Sequence, residues 1–262
     1  MLRSVKSLEG FAIGATDGDI GKVKDFYFDD QAWVVRYLVV DAGAWLESRK
    51  VLVSPYSIAQ PGWDATVLPA TLTQEQIKSS PDFDSDAPVS RQYEEAYLGY
   101  YGYPYYWGGS GLWAGGHYPT SWAARNAPRY DGYQGSLRAP SADGDPHLRS
   151  CNAVKGYHLI ASDGEIGHVQ GFLVDDLTWS IRYLVVNTSN WWVGHQVLVS
   201  PEWIERVSWE NLEVTVALDR AAIQRAPVYT EGMAVDRKAE SDLYTHYGRK
   251  GYWGTGRTLE AA

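Results

Sequence analysis

Short apolar runs bounded by turn residues dominate the chain, and they occur in the same order twice. Gly10–Ala15 runs into Asp17-Gly18 and is followed by Ile20–Phe28; Gly156–Ala161, Asp163-Gly164 and Ile166–Val174 repeat the arrangement. Asp-Gly between two such runs predicts a β-hairpin with a type I′ turn, because that turn needs positive φ at both central residues. After a second turn at Asp29-Asp30 and Asp175-Asp176, Val34–Val40 and Ile181–Val186 are almost continuously apolar. That pattern predicts strands buried on both sides, as in a small closed barrel. Lys50–Ser54 and Gln196–Ser200 predict another strand, stopped by Pro55 and Pro201. Asp64–Ala70 and Asn211–Ala217 supply one more.

Helical signals follow the strands. Thr73–Ser79 and Asp219–Arg225 each open on a capping residue and precede Pro81 or Pro227. A further helix starts at Ser90 and Asp236 and ends near Gly102 and Gly248, with Glu94 and Glu240 in the first turn, where they suit the helix dipole.

The two series are related by a constant offset of 146 residues: Thr16–Asp41 superposes on Ser162–Asn187, and Trp45, Val51–Pro55, Trp63 and Pro81 on Trp191, Val197–Pro201, Trp209 and Pro227. The offset continues without a gap, joining Arg91 to Arg237, Glu94 to Glu240, and Tyr101, Gly102, Tyr106 and Trp107 to Tyr247, Gly248, Tyr252 and Trp253. A repeat of this kind defines the architecture before any single residue does. It predicts one unit over residues 1–108, a second over 148–254, a tail over 255–262, and between the units a flexible linker over 109–147, rich in Gly, Ser, Pro and Ala with isolated aromatics. The expected fold class is mainly β: two small barrels, each with short C-terminal helices.

Composition sharpens this picture in three places. The 262 residues include 12 Trp and 19 Tyr against 5 Phe, a bias toward rings that bury one edge and hydrogen-bond with the other. Many of these rings occupy duplicated positions, such as Tyr37/Tyr183 and Tyr106/Tyr252, and are expected to build the unit. The net charge of −9, without a basic stripe, argues against a nucleic-acid backbone as the main ligand. No apolar run reaches the roughly 18 residues of a membrane span, and Met1–Gly10 lacks the apolar core of a secretory signal. The expectation is a soluble cytoplasmic protein, at most peripheral to a membrane complex, whose single Cys151 forms no internal disulfide.

The run D-G-[DE]-I-G-x-V-x-x-F-x-x-D-D-x-x-W-x-[VI]-R-Y-L-V-V followed by V-L-V-S-P, present in both copies, resembles the PRC-barrel domain. That family takes its name from the cytoplasmic domain of the photosynthetic reaction centre H subunit, and the resemblance covers Met1–Ile77 and Leu148–Ile223. It implies small β-barrels that serve as interaction modules, as in the stand-alone bacterial members. The membrane helix of the reaction-centre subunit has no counterpart in this chain.

Candidate chemistry is sparse. Asp17, Asp19, Asp29 and Asp30 lack EF-hand spacing and read as turn residues, so no metal is expected. None of His117, His147, His158, His168, His195 and His246 has a histidine at its repeat partner, and Cys151 has none beside it. No phosphate loop, G-x-S-x-G, H-E-x-x-H or C-x-x-C motif occurs. Arg36 and Arg182 interrupt the most apolar strands and require partners. Asp29 or Asp30, and Asp175 or Asp176, could meet them across the turn. The structural and interface candidates are Arg36, Arg182, Asp30, Asp176, Trp33, Trp179, Tyr101, Tyr247, Trp107 and Trp253, with no catalytic residue and no cofactor. The expected function is a non-catalytic interaction or assembly module with a protein partner, by intramolecular barrel pairing, homo-oligomerisation or another chain. The alternatives are an accessory subunit of a membrane electron-transfer complex, as the resemblance implies, and, with least support, an enzyme.

Overall fold

The computed structural model describes residues 1–59, 66–84, 88–107, 112–113, 118–119, 147–188 and 195–254. Trp63, Trp191 and most of the expected linker, including Trp122, Tyr130 and Tyr133, lie outside them. The first repeat contributes β1 (Leu2–Ser4), β2 (Ala12–Ala15), β3 (Gly18–Asp29), β4 (Val34–Asp41), β5 (Lys50–Val53) and β6 (Val67–Pro69). The second contributes β7 (Leu148–Ser150), β8 (His158–Ala161), β9 (Gly164–Asp175), β10 (Ile181–Asn187), β11 (Gln196–Val199), β12 (Ile204–Ser208), β13 (Glu213–Val216) and β14 (Val228–Tyr229). Short helices at Gln74–Lys78, Arg91–Tyr101, Arg220–Gln224 and Arg237–His246 follow the strands. None of the described helices is long and apolar enough to cross a membrane.

Two compact units result, and they do not divide where the repeats divide. One comprises Val5–Ala153 with Asp175–Ser180; the other comprises Met1–Ser4, Val154–Val174 and Ile181–Ala262. In the first, the sheet order is β5-β4-β3-β2-β6, with β7 from the second repeat paired to β3. In the other it is β12-β13-β8-β9-β10-β11-β14, with β1 from the first repeat paired to β9. The sequence boundaries at 108 and 148 therefore shift for the short N-terminal strands, which have too little apolar periodicity to be read as strands.

Neither sheet closes by a ladder between its end strands among the described residues. The barrel-like curl comes from the chain itself, which turns a corner at the end of β5. There the Ser54 hydroxyl accepts the Tyr56 N–H, and Pro55 opens a single 3₁₀ turn. Ile58 then bridges Ala70, just past β6. In the second repeat Ser200 and Pro201 make the same corner, and β12 pairs with β13 from Ile204 to Ser208 around a bulge at Glu205. V-L-V-S-P is thus a strand and its corner, not only a strand and its stop. β4 is buried along seven of its eight residues, as its continuous apolar pattern requires.

The Asp-Gly turns differ from the type I′ expectation. Ala15 pairs with Gly18 and Ala161 with Gly164, so the loop residues are Thr16-Asp17 and Ser162-Asp163, all with negative φ. The aspartates serve a neighbouring helix instead. Asp17 Oδ1 accepts the Gln74 N–H at 2.8 Å, and Asp163 Oδ1 accepts the Arg220 N–H at 2.8 Å, each satisfying one of the free amides at a helix start. The second glycine of the motif answers a different constraint. A Cβ on Gly21 would stand 1.9 Å from the Asp41 carbonyl oxygen, and one on Gly167 2.1 Å from that of Asn187.

Two outcomes are expected. Gly21→Ala and Gly167→Ala each lower urea-unfolding stability by roughly 2 kcal/mol or more, because backbone must move; Gly171→Ala, whose Cβ meets nothing within 4 Å, changes it by less than about 0.5 kcal/mol. The N–H of Arg220 holds the Asp163 carboxyl below the ordinary aspartate range. Its contribution is therefore present above about pH 4 and lost as pH falls further. Asp163→Asn should unfold at lower urea concentration than the native chain at pH 6, with the gap shrinking toward pH 3.

Candidate functional site

A β-bulge places the site. In β4 the register steps from Tyr27↔Tyr37 to Phe28↔Val35, leaving Arg36 as the extra residue; in β10 it steps from Leu173↔Tyr183 to Val174↔Ile181, leaving Arg182. Consecutive residues of a regular strand point to opposite faces, whereas a bulge re-aims them. Arg36 and Tyr37 consequently reach one cluster, as do Arg182 and Tyr183.

The centre of each cluster is a glutamate on the helix that follows. Ser90 caps Arg91–Tyr101 and Asp236 caps Arg237–His246, each through an N–H three residues on. That start sets Glu94 and Glu240 facing inward, at 0% and 4% exposure. Glu94 Oε1 accepts the hydroxyls of Tyr37 at 2.8 Å and Tyr106 at 2.7 Å, while Arg91 lies 3.1 Å from Oε2. Glu240 Oε1 accepts those of Tyr183 and Tyr252, both at 2.9 Å, with Arg237 at 3.1 Å. The second arginine of each set lies over the tyrosine ring: the guanidinium carbon of Arg36 is 3.9 Å from the Tyr106 centroid and that of Arg182 4.1 Å from the Tyr252 centroid. Arg91 and Arg237 stack in turn on Trp107 at 4.0 Å and Trp253 at 4.3 Å.

Burial, and then the glutamate charge beside each hydroxyl, push Tyr37, Tyr106 and Tyr183 far above the ordinary tyrosine value, and Tyr252 up to about 12. These phenols stay protonated and act as donors.

Arg36 finds its carboxylate in Asp29, at 3.0 Å, and donates to the Leu112 carbonyl at 2.6 Å. Of the two candidates Asp29 and Asp30, Asp29 ends β3 beside β4, and its other oxygen also accepts the N–H groups of Gln31 and Ala32. Asp30 faces elsewhere and binds Arg149 at 2.9 Å and His147 at 3.3 Å. Arg182 makes no ion pair among the described residues. Asp175 instead caps its turn through Leu177 and Thr178, and Asp175 and Asp176 belong to the unit that does not contain Arg182. An Arg–Asp pair in both copies, expected from the repeat, is therefore realised in one.

The other candidates fall into two groups. Trp33 and Trp179 occupy the turn itself, with φ of 53° and 58°, and the backbone N–H of each donates to the backbone carbonyl of the aspartate four residues earlier. Left-handed backbone at a bulky residue is strained, and packing offsets it: Trp33 stacks on Phe28 and Trp179 is fully buried. Tyr101 and Tyr247 are buried among rings, at 4.8 Å from Tyr97 and 4.7 Å from Trp203. Trp113, expected in a flexible linker, is 3% exposed, donates to the Thr178 carbonyl and packs on Tyr56.

Sequence reasoning missed Glu94 and Glu240 as buried centres, reading them as dipole partners on an open helix turn. A signal was present: Tyr37, Arg91, Glu94 and Tyr106 are all identical at the offset of 146. No group of three or more metal-ligating side chains occurs among the described residues. A small apolar pocket of about 30 Å³ lies beside Leu198, Val228, Met233 and Leu243.

Tyr37→Phe should lower stability by about 1.5–3 kcal/mol, the range for a hydrogen bond to a charged group. Glu94→Ala should lower it by about 3–5 kcal/mol, since the buried Tyr37 and Tyr106 hydroxyls both lose their acceptor and Arg91 its ion pair. The double variant should lose less than the sum, because both changes remove one bond. The raised tyrosine values give the pH sign: their contribution is complete below about pH 10 and is lost as pH climbs toward and past 12, so urea midpoints should hold up to about pH 10 and fall between pH 10 and 12.

Comparison with known proteins agrees with this architecture in one region. No curated protein matches the chain. Residues 3–70, which run from β1 to the bridge partner Ala70 and end before the helix that carries Glu94, match the family model of the PRC-barrel domain.

Proposed function

We propose that the chain is a non-catalytic protein-interaction or assembly module in which the second repeat, like the first, is a PRC-barrel copy. The second repeat supports this by reproducing the strand order, the Ser-Pro corner, the bulged arginine and the buried glutamate of the matched one. The observation that carries the functional reading is the closure of the polar clusters. A general acid, base or nucleophile has to reach a substrate. Glu94 and Glu240 instead have their oxygens occupied by tyrosine hydroxyls and an arginine, at 0% and 4% exposure. The polar residues that recur in both repeats fix each helix to its sheet. What they leave for function is surface, including the exposed rings of Trp45, Tyr105 and Trp253, a residue type enriched at protein interfaces.

The test is affinity purification of the full chain from its native host with chemical crosslinking, followed by reconstitution from purified components. A stoichiometric protein that rebinds the purified chain, with crosslinks converging on one face, is the expected result. Recovery of the chain alone, together with a small-molecule turnover that disappears in Glu240→Gln, would overturn the reading.

A further inference from the structure

β3 is longer than its hairpin partner. β4 occupies one edge of it from Lys22 to Asp29, and β2 covers the other edge only from Gly18 to Lys22. Val23 is still held there, by Phe11 and Gly10, and past it the second edge would present unpaired backbone groups, the situation that invites another strand. β7 takes that place, in the register Tyr27↔Ser150, Phe28↔Arg149 and Asp29↔Leu148. The seat is built for it. Ser150 donates its hydroxyl to Asp25 at 2.5 Å, the Asn152 N–H reaches the other Asp25 oxygen at 3.1 Å, and Arg149 donates to Asp30 at 2.9 Å. The Asp30 N–H donates to the His147 carbonyl at 2.8 Å.

The same arrangement recurs in the other unit, where β1 pairs with β9, the offset equivalent of β3. The two donated strands are the same tripeptide, Leu2-Arg3-Ser4 and Leu148-Arg149-Ser150, again at an offset of 146. Each unit therefore accepts, on an equivalent edge, a strand that begins the opposite repeat.

We propose that this edge is a docking site for the N-terminal strand of a second copy of the repeat, and that the chain is a covalently joined exchange pair in which each repeat completes the other. Donor and acceptor on one surface, used reciprocally, is the form in which identical subunits exchange an element. In the intact chain both sites are filled from within, since a tether keeps the local concentration of the donor high. The connection between repeats raises that concentration. It is not what holds the halves together.

The experiment cuts the connection in the full chain. A specific protease site is inserted after Arg138, the folded protein is cleaved, and its mass is followed by native mass spectrometry and light scattering during dilution. The two pieces should remain at the mass of the intact chain and separate only under denaturing conditions. In the same cleaved background, Arg149→Ala, which removes the contact with Asp30 and keeps the backbone ladder, should weaken association by roughly tenfold or more. Ser150→Pro, which also removes a backbone donor, should weaken it further. Pieces that part on cleavage, or an Arg149→Ala variant that holds as tightly as the parent while hydrogen exchange at Tyr27–Asp29 is unchanged, would overturn the proposal.

Discussion

A carboxylate removed from water must be met by donors, and Glu94 and Glu240 impose that requirement on everything around them. Two phenols and one guanidinium have to converge on each. Their positions come from three separate pieces of chain: a β-strand, the first turn of a helix, and the aromatic segment after that helix. Losing any one leaves a buried charge underpaired, which is far more costly than losing an ordinary contact. The helix is therefore held in orientation as well as position, and β4 beneath it is buried along seven of its eight residues.

The bulge at Arg36 and Arg182 is the backbone's answer to that requirement. Without it, Tyr37 and Arg36 would face opposite sides of β4, and the cluster would lack either its hydrogen-bond donor or the guanidinium stacked on Tyr106. The turn that precedes the strand is adapted to the same end. Asp29 caps it with one oxygen and binds Arg36 with the other, and Trp33 accepts a left-handed backbone to close it. In the second repeat the turn keeps this shape with Asp175 and Trp179, but its aspartate does not serve Arg182. The duplication is kept in the glutamate clusters, while the Arg–Asp pair occurs in the first repeat alone among the described residues.

Strand and helix positions were largely legible because period-two alternation, continuous apolar runs and capping residues are local signals. Thr73, Ser90, Asp219 and Asp236 cap the helices they precede. The turns were legible in place but not in type. Asp17 and Asp163 bond to helix amides 57 residues further along the chain, and no local rule weighs such a bond against backbone preference. β1 and β7 were invisible for a related reason: three residues carry no periodicity, and both strands exist because an edge elsewhere needs them.

By itself the sequence determined the existence of two like units, the order of their main strands and helices, and the identity of the residues that recur. Those features follow from near-neighbour chemistry and from the repeat, which one dimension records completely. The tertiary structure decided that the recurring tyrosines, glutamates and arginines are one contact network rather than separate surface positions. It also decided that Asp29, not Asp30, is the partner of Arg36, and that each sheet takes one strand from the other repeat. The physical reason is the same in each case. Burial and hydrogen-bond pairing are satisfied in space, by groups from seven to more than a hundred residues apart, and only the folded chain brings donor and acceptor within about 3 Å of each other.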